Sequence, residues 1–295
     1  MNLSVPSKTF LLGEYSVLFG HPAILINTLP QFCLLDVIPE SAVAKQRRIS
    51  GIQAKNIPPE SPAGKLYRDY LSFFSKKEYY FVDPYAGRGG FGASTAQFIL
   101  LANLLGLKDP WQVWEKYREY TKQTDSISPS GADIISQMVG GIVFFHANNK
   151  IIESLVWPFP DVEIALIHTG KKLATHEYLK DVSPRTCCGV QYSEIVFSSY
   201  EAIKNKQLDS FVKAINKYAG ALKEIHCVAQ HTEVLLKKVQ DELTVLAAKG
   251  CGAMGADVIL VCIEQREKQA LVEWVKKQQL DLVFCGNHFS QGISV

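Results

Sequence analysis

The chain is short of most features that would assign it quickly. No apolar run approaches the roughly 18 residues that a membrane span needs. Neither basic nor acidic residues are in clear excess, with 31 Lys+Arg against 29 Asp+Glu and a net charge of +2. A dedicated nucleic-acid binder normally carries a basic surplus, so that class is excluded, as is a membrane partner. There are seven cysteines (Cys33, Cys187, Cys188, Cys227, Cys251, Cys262 and Cys285) but no Cys-x-x-Cys and no close Cys/His pairing. A zinc site of that spacing is therefore absent, and the thiols read as reduced and mostly buried. The triplet Gly-Lys-Ser/Thr of a Walker A loop occurs nowhere. Met1 to Phe10 places its lysine inside the segment and has no apolar h-region, so no signal peptide is read and a cytoplasmic location is expected. Internal repeats and low-complexity tracts are also missing.

What is present is globular: 295 residues, 47% hydrophobic and 20% charged. That length suits one large domain or two of about 150 residues. Short apolar runs at Phe10–Leu12, Ala23–Ile26 and Phe32–Ile38, separated by turn residues, predict an opening β-sheet to which Val17-Leu18 adds a further pairing segment. Prolines 58, 59 and 62 mark a loop, and helical spacing of Leu66, Tyr70, Leu71 and Phe74 predicts a helix over Lys65–Ser75. Tyr79–Val82 reads as a strand, Ala93–Leu105 as a helix apolar nearly all round, and Trp111–Lys122 as a second helix. Ile142–Phe145 and Ile151–Leu155 predict a hairpin turning at Asn148-Asn149. Trp157-Pro158-Phe159-Pro160 is the best domain boundary, since two prolines in four residues interrupt helix and sheet alike. Beyond it, strands are predicted at Val162–Ile167, Val258–Ile263 and Leu282–Phe284, with helices near 189–204, 208–223, 231–247 and 266–278. The result is an α+β plan in two parts, 1–157 and 158–295.

The sharpest local signal is Gly87-Arg88-Gly89-Gly90-Phe91-Gly92, directly ahead of the apolar helix. Glycines let a backbone turn tightly and bring N–H groups close to an anion, and a helix N-terminus adds partial positive charge. The letters match a dinucleotide fingerprint, but that motif needs a second strand ending in an acidic residue about 30 residues on. Here Asp109-Pro110 and another helix follow instead, which disfavours a Rossmann oxidoreductase. A ligand-free tight turn stays open for this stretch alone, as do a solvated Lys8 and a helix-capping Asp133. His168 and His176 flank Lys171-Lys172, but with no third ligand at suitable spacing they read as ordinary polar histidines.

Three further segments accompany the loop: Pro6-Ser7-Lys8-Thr9-Phe10-Leu11-Leu12-Gly13-Glu14-Tyr15, Ser128-Pro129-Ser130-Gly131-Ala132-Asp133 with Gly140-Gly141, and Lys249-Gly250-Cys251-Gly252-Ala253-Met254-Gly255-Ala256-Asp257. In this order and at these separations the four resemble the motifs of the GHMP small-molecule kinases, over residues 6 to about 262. The resemblance implies an N-terminal ribosomal-protein-S5-like α/β domain and a C-terminal ferredoxin-like α+β domain. It also implies a cytoplasmic, ATP-binding phosphotransferase, a transferase working with ATP and Mg²⁺ on a small-molecule substrate. Carried over residue by residue, Lys8 and Asp133 become catalytic: Asp133 takes or orients the acceptor hydroxyl proton, and Lys8 favours an alkoxide-like nucleophile. Arg88, Gly89, Gly90, Phe91, Gly92, Ala93, Ser94 and Thr95 become the ATP-binding segment, with backbone N–H groups cradling phosphates and the Ser94 hydroxyl offered to Mg²⁺. Glu14, Tyr15, His21, Ser130, Gly131, Thr169, Lys171, Thr175, Gly252 and Asp257 become substrate contacts.

Within the family, Tyr15 after the motif glutamate and Asp257 at the end of the late motif resemble the phosphomevalonate kinases of isoprenoid biosynthesis. So does His168-Thr169-Gly170-Lys171-Lys172-Leu173-Ala174-Thr175. Arg88, Lys171 and Lys172 are cations suited to a phosphorylated acceptor. The expected reaction is transfer of the γ-phosphoryl group of ATP to phosphomevalonate, with mevalonate as the alternative acceptor and a non-catalytic ligand-binding homologue as the alternative class. Departures from the pattern stand at Ala93, Met254 and Lys122, the last where mevalonate kinases place a metal-binding glutamate, with Asp125 or Glu119 as substitutes. Monomer and homodimer are both compatible with the sequence.

Overall fold

The protein was analysed as a computed structural model that describes residues 2–37, 51–53, 57–76, 78–122, 127–170, 190–252, 255 and 257–294. Two antiparallel sheets organise it. The first is six-stranded, in the order β3-β4-β2-β5-β6 with β1 also paired to β2. Its strands are β1 (Asn2–Leu12), β2 (Ala23–Val37), β3 (Gly51–Gln53), β4 (Glu78–Val82), β5 (Ile142–His146) and β6 (Ile151–Leu155). The second sheet runs β10-β7-β9-β8, formed by β7 (Val162–His168), β8 (Ala247–Cys251), β9 (Val258–Glu264) and β10 (Asp281–Gly286). The chain crosses from one sheet to the other between Leu155 and Val162, through the Trp157–Pro160 segment. Residues near the C-terminus then return to the first sheet, where Ser294 bridges Ser4 and Gln291 bridges Gly140.

The opening differs from three short strands. β2 is one 15-residue strand, and its polar centre is buried rather than looped out. Asn27 donates to Ser136 Oγ (2.9 Å) and to the Gly141 carbonyl (3.0 Å), and Ser7 Oγ lies 2.8 Å from Thr28 Oγ1. Satisfied in this way, polar residues lie in a sheet without breaking it. Val17-Leu18 belongs to a 3₁₀ turn, Ser16–Phe19, and not to a strand.

Helices α1 (Pro62–Asp69) and α2 (Leu71–Phe74) replace the single helix predicted from Lys65. The start is earlier because Ser61 caps it, its side chain accepting from Gly64 N at 3.0 Å with Pro62 at the first position. Helix α3 (Ala93–Leu104) is buried on all sides from Thr95 to Asn103. Its Phe98, Ile99, Leu100 and Leu101 are wholly inaccessible, and each contributes roughly 1.5–3 kcal/mol of burial. The helix behind the glycine loop is thereby a fixed support. α4 (Pro110–Thr121) is capped by Asp109, and α5 (Ala132–Val139) begins at Gly131.

In the second half come α6 (Val190–Lys204), α7 (Leu208–Glu224), α8 (Gln230–Glu242) and α9 (Lys268–Lys277). The helix predicted to 247 ends at Glu242, and Ala247–Cys251 is a strand instead. Alanine, lysine and glycine have low strand propensity, but complete burial against β9 overrides it. Among the described residues no helix is long and apolar enough to cross a membrane. Cys227, Cys251 and Cys262 are buried and Cys33 and Cys285 half-buried, all as free thiols; Cys187 and Cys188 lie outside the described residues.

Candidate active site

Lys8 sits on β1, opposite Asn27 of β2, with its amide donating to the Phe91 carbonyl (3.1 Å). The strand that carries Lys8 is thus tied to the glycine loop. Its ammonium lies 2.9 Å from Asp133 Oδ2 and 4.8 Å over the Phe10 ring. Asp133 is in the first turn of α5, where the helix dipole favours a carboxylate. Gly131, not Asp133, is the capping residue, at φ 74°. A side chain at Gly131 would meet Trp114 Cδ1 at 2.6 Å, and the Trp114 indole donates to the Ser130 carbonyl (2.8 Å). The Ser130-Gly131 corner is therefore fixed from the α4 side.

Lys8 and Asp133 share the wall of a cavity of about 180 Å³ with Phe10, Glu14, Tyr15, Val17, Leu18, Thr95, Tyr117, Pro129, Ser130, Gly131 and Gly252. Two motifs separated by more than 120 residues in the sequence thus converge on one pocket. Lys8 is the one cation on that wall among the described residues. The buried Tyr117 phenol is held protonated, by burial first and then by nearby Asp133. Tyr15 Oη reaches the Gly252 carbonyl at 3.4 Å.

The glycine loop lies beside this pocket. Gly90 and Gly92 adopt φ of 92° and 84°, and α3 starts at Gly92 without a side-chain cap. Its first N–H groups are thus left for an anion. A Cβ on Gly92 would come within 3.0 Å of Lys8 Cγ and 3.1 Å of Gln137 Nε2. Ser94 is exposed on the first turn. Thr95 is buried, with its hydroxyl 3.0 Å from the Gly92 carbonyl and 2.5 Å from Gln137 Oε1. Gln137 in turn donates to the Pro6 carbonyl (2.8 Å). Phe91 contributes its backbone to the loop while its ring belongs to the core, stacked on Tyr85 at 4.2 Å and on His168 at 6.2 Å.

Several predicted residues lie off the cavity wall. Arg88 pairs with Asp281 of β10 at 3.0 Å. His21 Nδ1 is 2.6 Å from Ser193 Oγ of α6. Thr169 donates its amide to the Asp257 carbonyl (3.0 Å), and the Asp257 carboxylate packs between Gly89 and Gly252. Ala93 begins α3. Lys171, Thr175, Met254 and Asp125 are outside the described residues, as is His176. Lys122 is exposed at the end of α4, and Glu119 pairs with Lys116 (3.0 Å). Among the described residues no group of three acidic, histidine or cysteine side chains gathers to hold a metal. A Mg²⁺ held chiefly by phosphate oxygens and water needs only a ligand or two from the protein, and the exposed Ser94 hydroxyl fits that demand.

Sequence reasoning passed over Lys249, Gln137 and Tyr117. Lys249 is wholly buried and contacts Glu14; its one signal was a lysine inside an otherwise small and apolar stretch. His168 was read as an ordinary polar residue, yet it is 5% exposed. Its Nδ1 accepts from Gly170 N (3.1 Å) while Nε2 has no partner. Burial, then the Arg88 charge, hold its pKa below 6.5, with Asp281 pulling the other way. The folded ring therefore resists a proton that the unfolded chain accepts, so its contribution is complete above about pH 6.5 and is lost as pH falls below it. His146 is lowered by burial and by His21 and acts in the same direction. The melting temperature should fall between about pH 7 and pH 5, and more gently in His168→Gln. Parallel curves for the two proteins would refute the assignment to His168.

No family model matches the chain, and no curated protein matches it in sequence. Solved structures do match it by fold. Methanococcus jannaschii mevalonate kinase superposes with a TM-score of 0.70 at 16% identity, covering 98% of both chains. Streptococcus pneumoniae phosphomevalonate kinase, solved in complex with phosphomevalonate and AMPPNP, gives 0.72 at 14% identity, covering 98% of this chain and 100% of the other. Lactococcus lactis galactokinase complexed with galactose gives 0.68 at 11% identity, covering 98% and 94%.

Proposed function

Because the chain takes the α+β fold of the GHMP-family kinases over nearly its whole length, we propose that it is an ATP-dependent small-molecule kinase whose preferred acceptor is phosphomevalonate. Mevalonate is the second acceptor in this reading, and the division into domains 1–157 and 158–295 is part of it. One observation carries it: Lys8 and Asp133 meet at 2.9 Å on a pocket wall, beside an uncapped helix start that suits phosphate. The acceptor preference rests on Tyr15 and Asp257.

In the proposed reaction the acceptor hydroxyl lies against Asp133, which takes its proton as the oxygen forms its bond to the γ-phosphorus and the bond to ADP breaks. Lys8 balances the carboxylate before transfer and the developing oxyanion during it. Backbone N–H groups of Gly90, Gly92 and Ala93 hold phosphate oxygens, and Ser94 supplies a hydroxyl to Mg²⁺. When bound, that ion neutralises phosphate charge. A coupled ADP-release assay with Mg·ATP against phosphomevalonate and mevalonate tests the reading. Turnover on mevalonate alone would overturn the acceptor choice, and silence on both would leave the ligand-binding alternative.

A further inference from the structure

Tyr117 sits on the buried side of α4, its ring edge-on to Phe98 of α3 with centroids 5.2 Å apart. The residue also lines the pocket, on the same wall as Lys8 and Asp133. The other hydroxyls of that wall are engaged. Thr95 is bonded to Gln137 (2.5 Å), Tyr15 reaches the Gly252 carbonyl (3.4 Å), and Ser130 Oγ accepts from Ala132 N (3.2 Å). Tyr117 Oη has no hydrogen-bond partner among the described residues. Nor is it sealed off: the residue keeps 6% of its surface, and Oη is not among the inaccessible polar atoms.

Asp133 offers the complementary group. Lys8 holds its Oδ2 at 2.9 Å, whereas Oδ1 makes no hydrogen bond or ion pair among the described residues. The carboxylate is near enough to raise the Tyr117 pKa, after burial, yet the two side chains do not bond each other. A phenol that keeps its proton donates, and an ionised carboxylate only accepts. A buried donor left unpaired is costly. The wall is satisfied by a ligand group that takes a hydrogen bond from Tyr117 and gives one to Asp133. A carboxylate or a phosphate dianion has no proton to give, and an ammonium has no lone pair to receive with. A protonated oxygen has both.

We propose that Tyr117 is a further catalytic residue: its hydroxyl donates to the reacting oxygen of the acceptor while Asp133 Oδ1 accepts that oxygen's proton. The nucleophile is thus held between two fixed groups before transfer. This rests on the kinase reading and adds the chemistry of the reacting group, a protonated oxygen, supplied by an alcohol or by the P–OH of a phosphate monoester. Tyr117 keeps its own proton throughout. The acceptor's proton passes to Asp133 as the new O–P bond forms and the bond to ADP breaks.

Tyr117→Phe removes one oxygen atom and keeps the ring against Phe98, so the variant should fold with an undiminished melting temperature. Its kcat/KM for the acceptor should drop about 10- to 100-fold, between the loss of one hydrogen bond and a displacement of roughly 1 Å. KM for ATP should stay near its starting value. A drop on mevalonate identifies the alcohol as the group held, and a drop on phosphomevalonate identifies the P–OH. Calorimetry with AMPPNP present then compares each acceptor with the analogue of mevalonate that has hydrogen in place of its primary hydroxyl. Tyr117→Phe should weaken the oxygen-bearing acceptor about tenfold and bind the deoxy analogue as the wild type does. A merely structural ring would not give that selectivity. Unchanged kcat/KM on both acceptors overturns the inference, as does an equal loss of affinity for the deoxy analogue. A melting temperature that falls together with the rate assigns Tyr117 to the fold and overturns it too. Should the wild type turn over neither acceptor, the kinase reading fails by itself, and calorimetry still decides: a loss confined to the oxygen-bearing ligand upholds the contact, and equal affinities overturn it. If the wild type binds neither acceptor, both readings fall.

Discussion

Under the proposed mechanism, Asp133→Asn should lower kcat by about 10²- to 10⁴-fold, the usual contribution of a positioned general base, with ATP binding kept. The substitution changes charge and almost nothing else. Gly131 caps α5, so the helix start does not depend on the carboxylate. The side chain is only partly buried, at 29%, so an amide is tolerated there. Lys8, at 7% exposure, loses the counter-charge that Asp133 supplies at 2.9 Å. A modest fall in melting temperature therefore accompanies the loss of rate, and Lys8→Met in the same chain should recover part of the stability and none of the activity. ADP release, calorimetric ATP binding and thermal melting measured together check this. An unchanged kcat would remove Asp133 from the chemistry.

On the same reading, Gly89→Ala should raise KM for ATP by about 10²-fold, the scale of a displacement of roughly 1 Å in a positioned site, and leave acceptor binding near its starting value. Gly89 is glycine for want of space. A Cβ there would stand 2.5 Å from Asp257 Oδ1 and 2.7 Å from Cγ. On its other side the carboxylate packs against Gly252, where a Cβ would stand 2.4 Å from Oδ2. Its backbone is held too, by Thr169. The loop must lift instead, and its N–H groups lift with it. Removing the obstruction in Gly89→Ala/Asp257→Ala should bring KM back toward the wild type, a coupling that two independent sites would not produce. Additive effects of the two substitutions would sink the argument.

The parts of this site legible in the sequence were those set by local rules. Glycines ahead of an apolar helix announce a loop at a helix start. Asp109-Pro110 marks the break between two helices, and Asn148-Asn149 announces the hairpin between β5 and β6. Two motifs resembling those of known kinases located Lys8 and Asp133, and the fold brings them to 2.9 Å. Hidden from the sequence were contacts that only tertiary packing creates. Nothing near Ala247–Cys251 favours a strand until β9 lies beside it, and without that strand Lys249 has no reason to point at Glu14. Arg88 reads as a phosphate ligand because of its neighbours in sequence, but Asp281, almost 200 residues later, holds it in an ion pair. Asn27 and Thr28 read as a break because their partners, Ser136 and Ser7, lie on other elements.

The returning C-terminal residues bear on when the site can first exist. Ile293 N donates to the Met138 carbonyl (3.3 Å), Gly141 N to the Ser290 carbonyl (2.6 Å), and Ser290 N to the Asn27 carbonyl (2.8 Å). The end of the helix that carries Asp133 is thus closed by residues translated more than 150 positions later. On a ribosome adding about 5–20 residues per second, β1, β2 and α5 are all made well before those partners emerge from the exit tunnel. Until residues 290–294 are added, the nascent chain holds Lys8 on a strand and Asp133 on a helix whose last hydrogen bonds are still unmade. The hydrogen bonds that close this end of the pocket's scaffold therefore form only after residues 290–294 have been added.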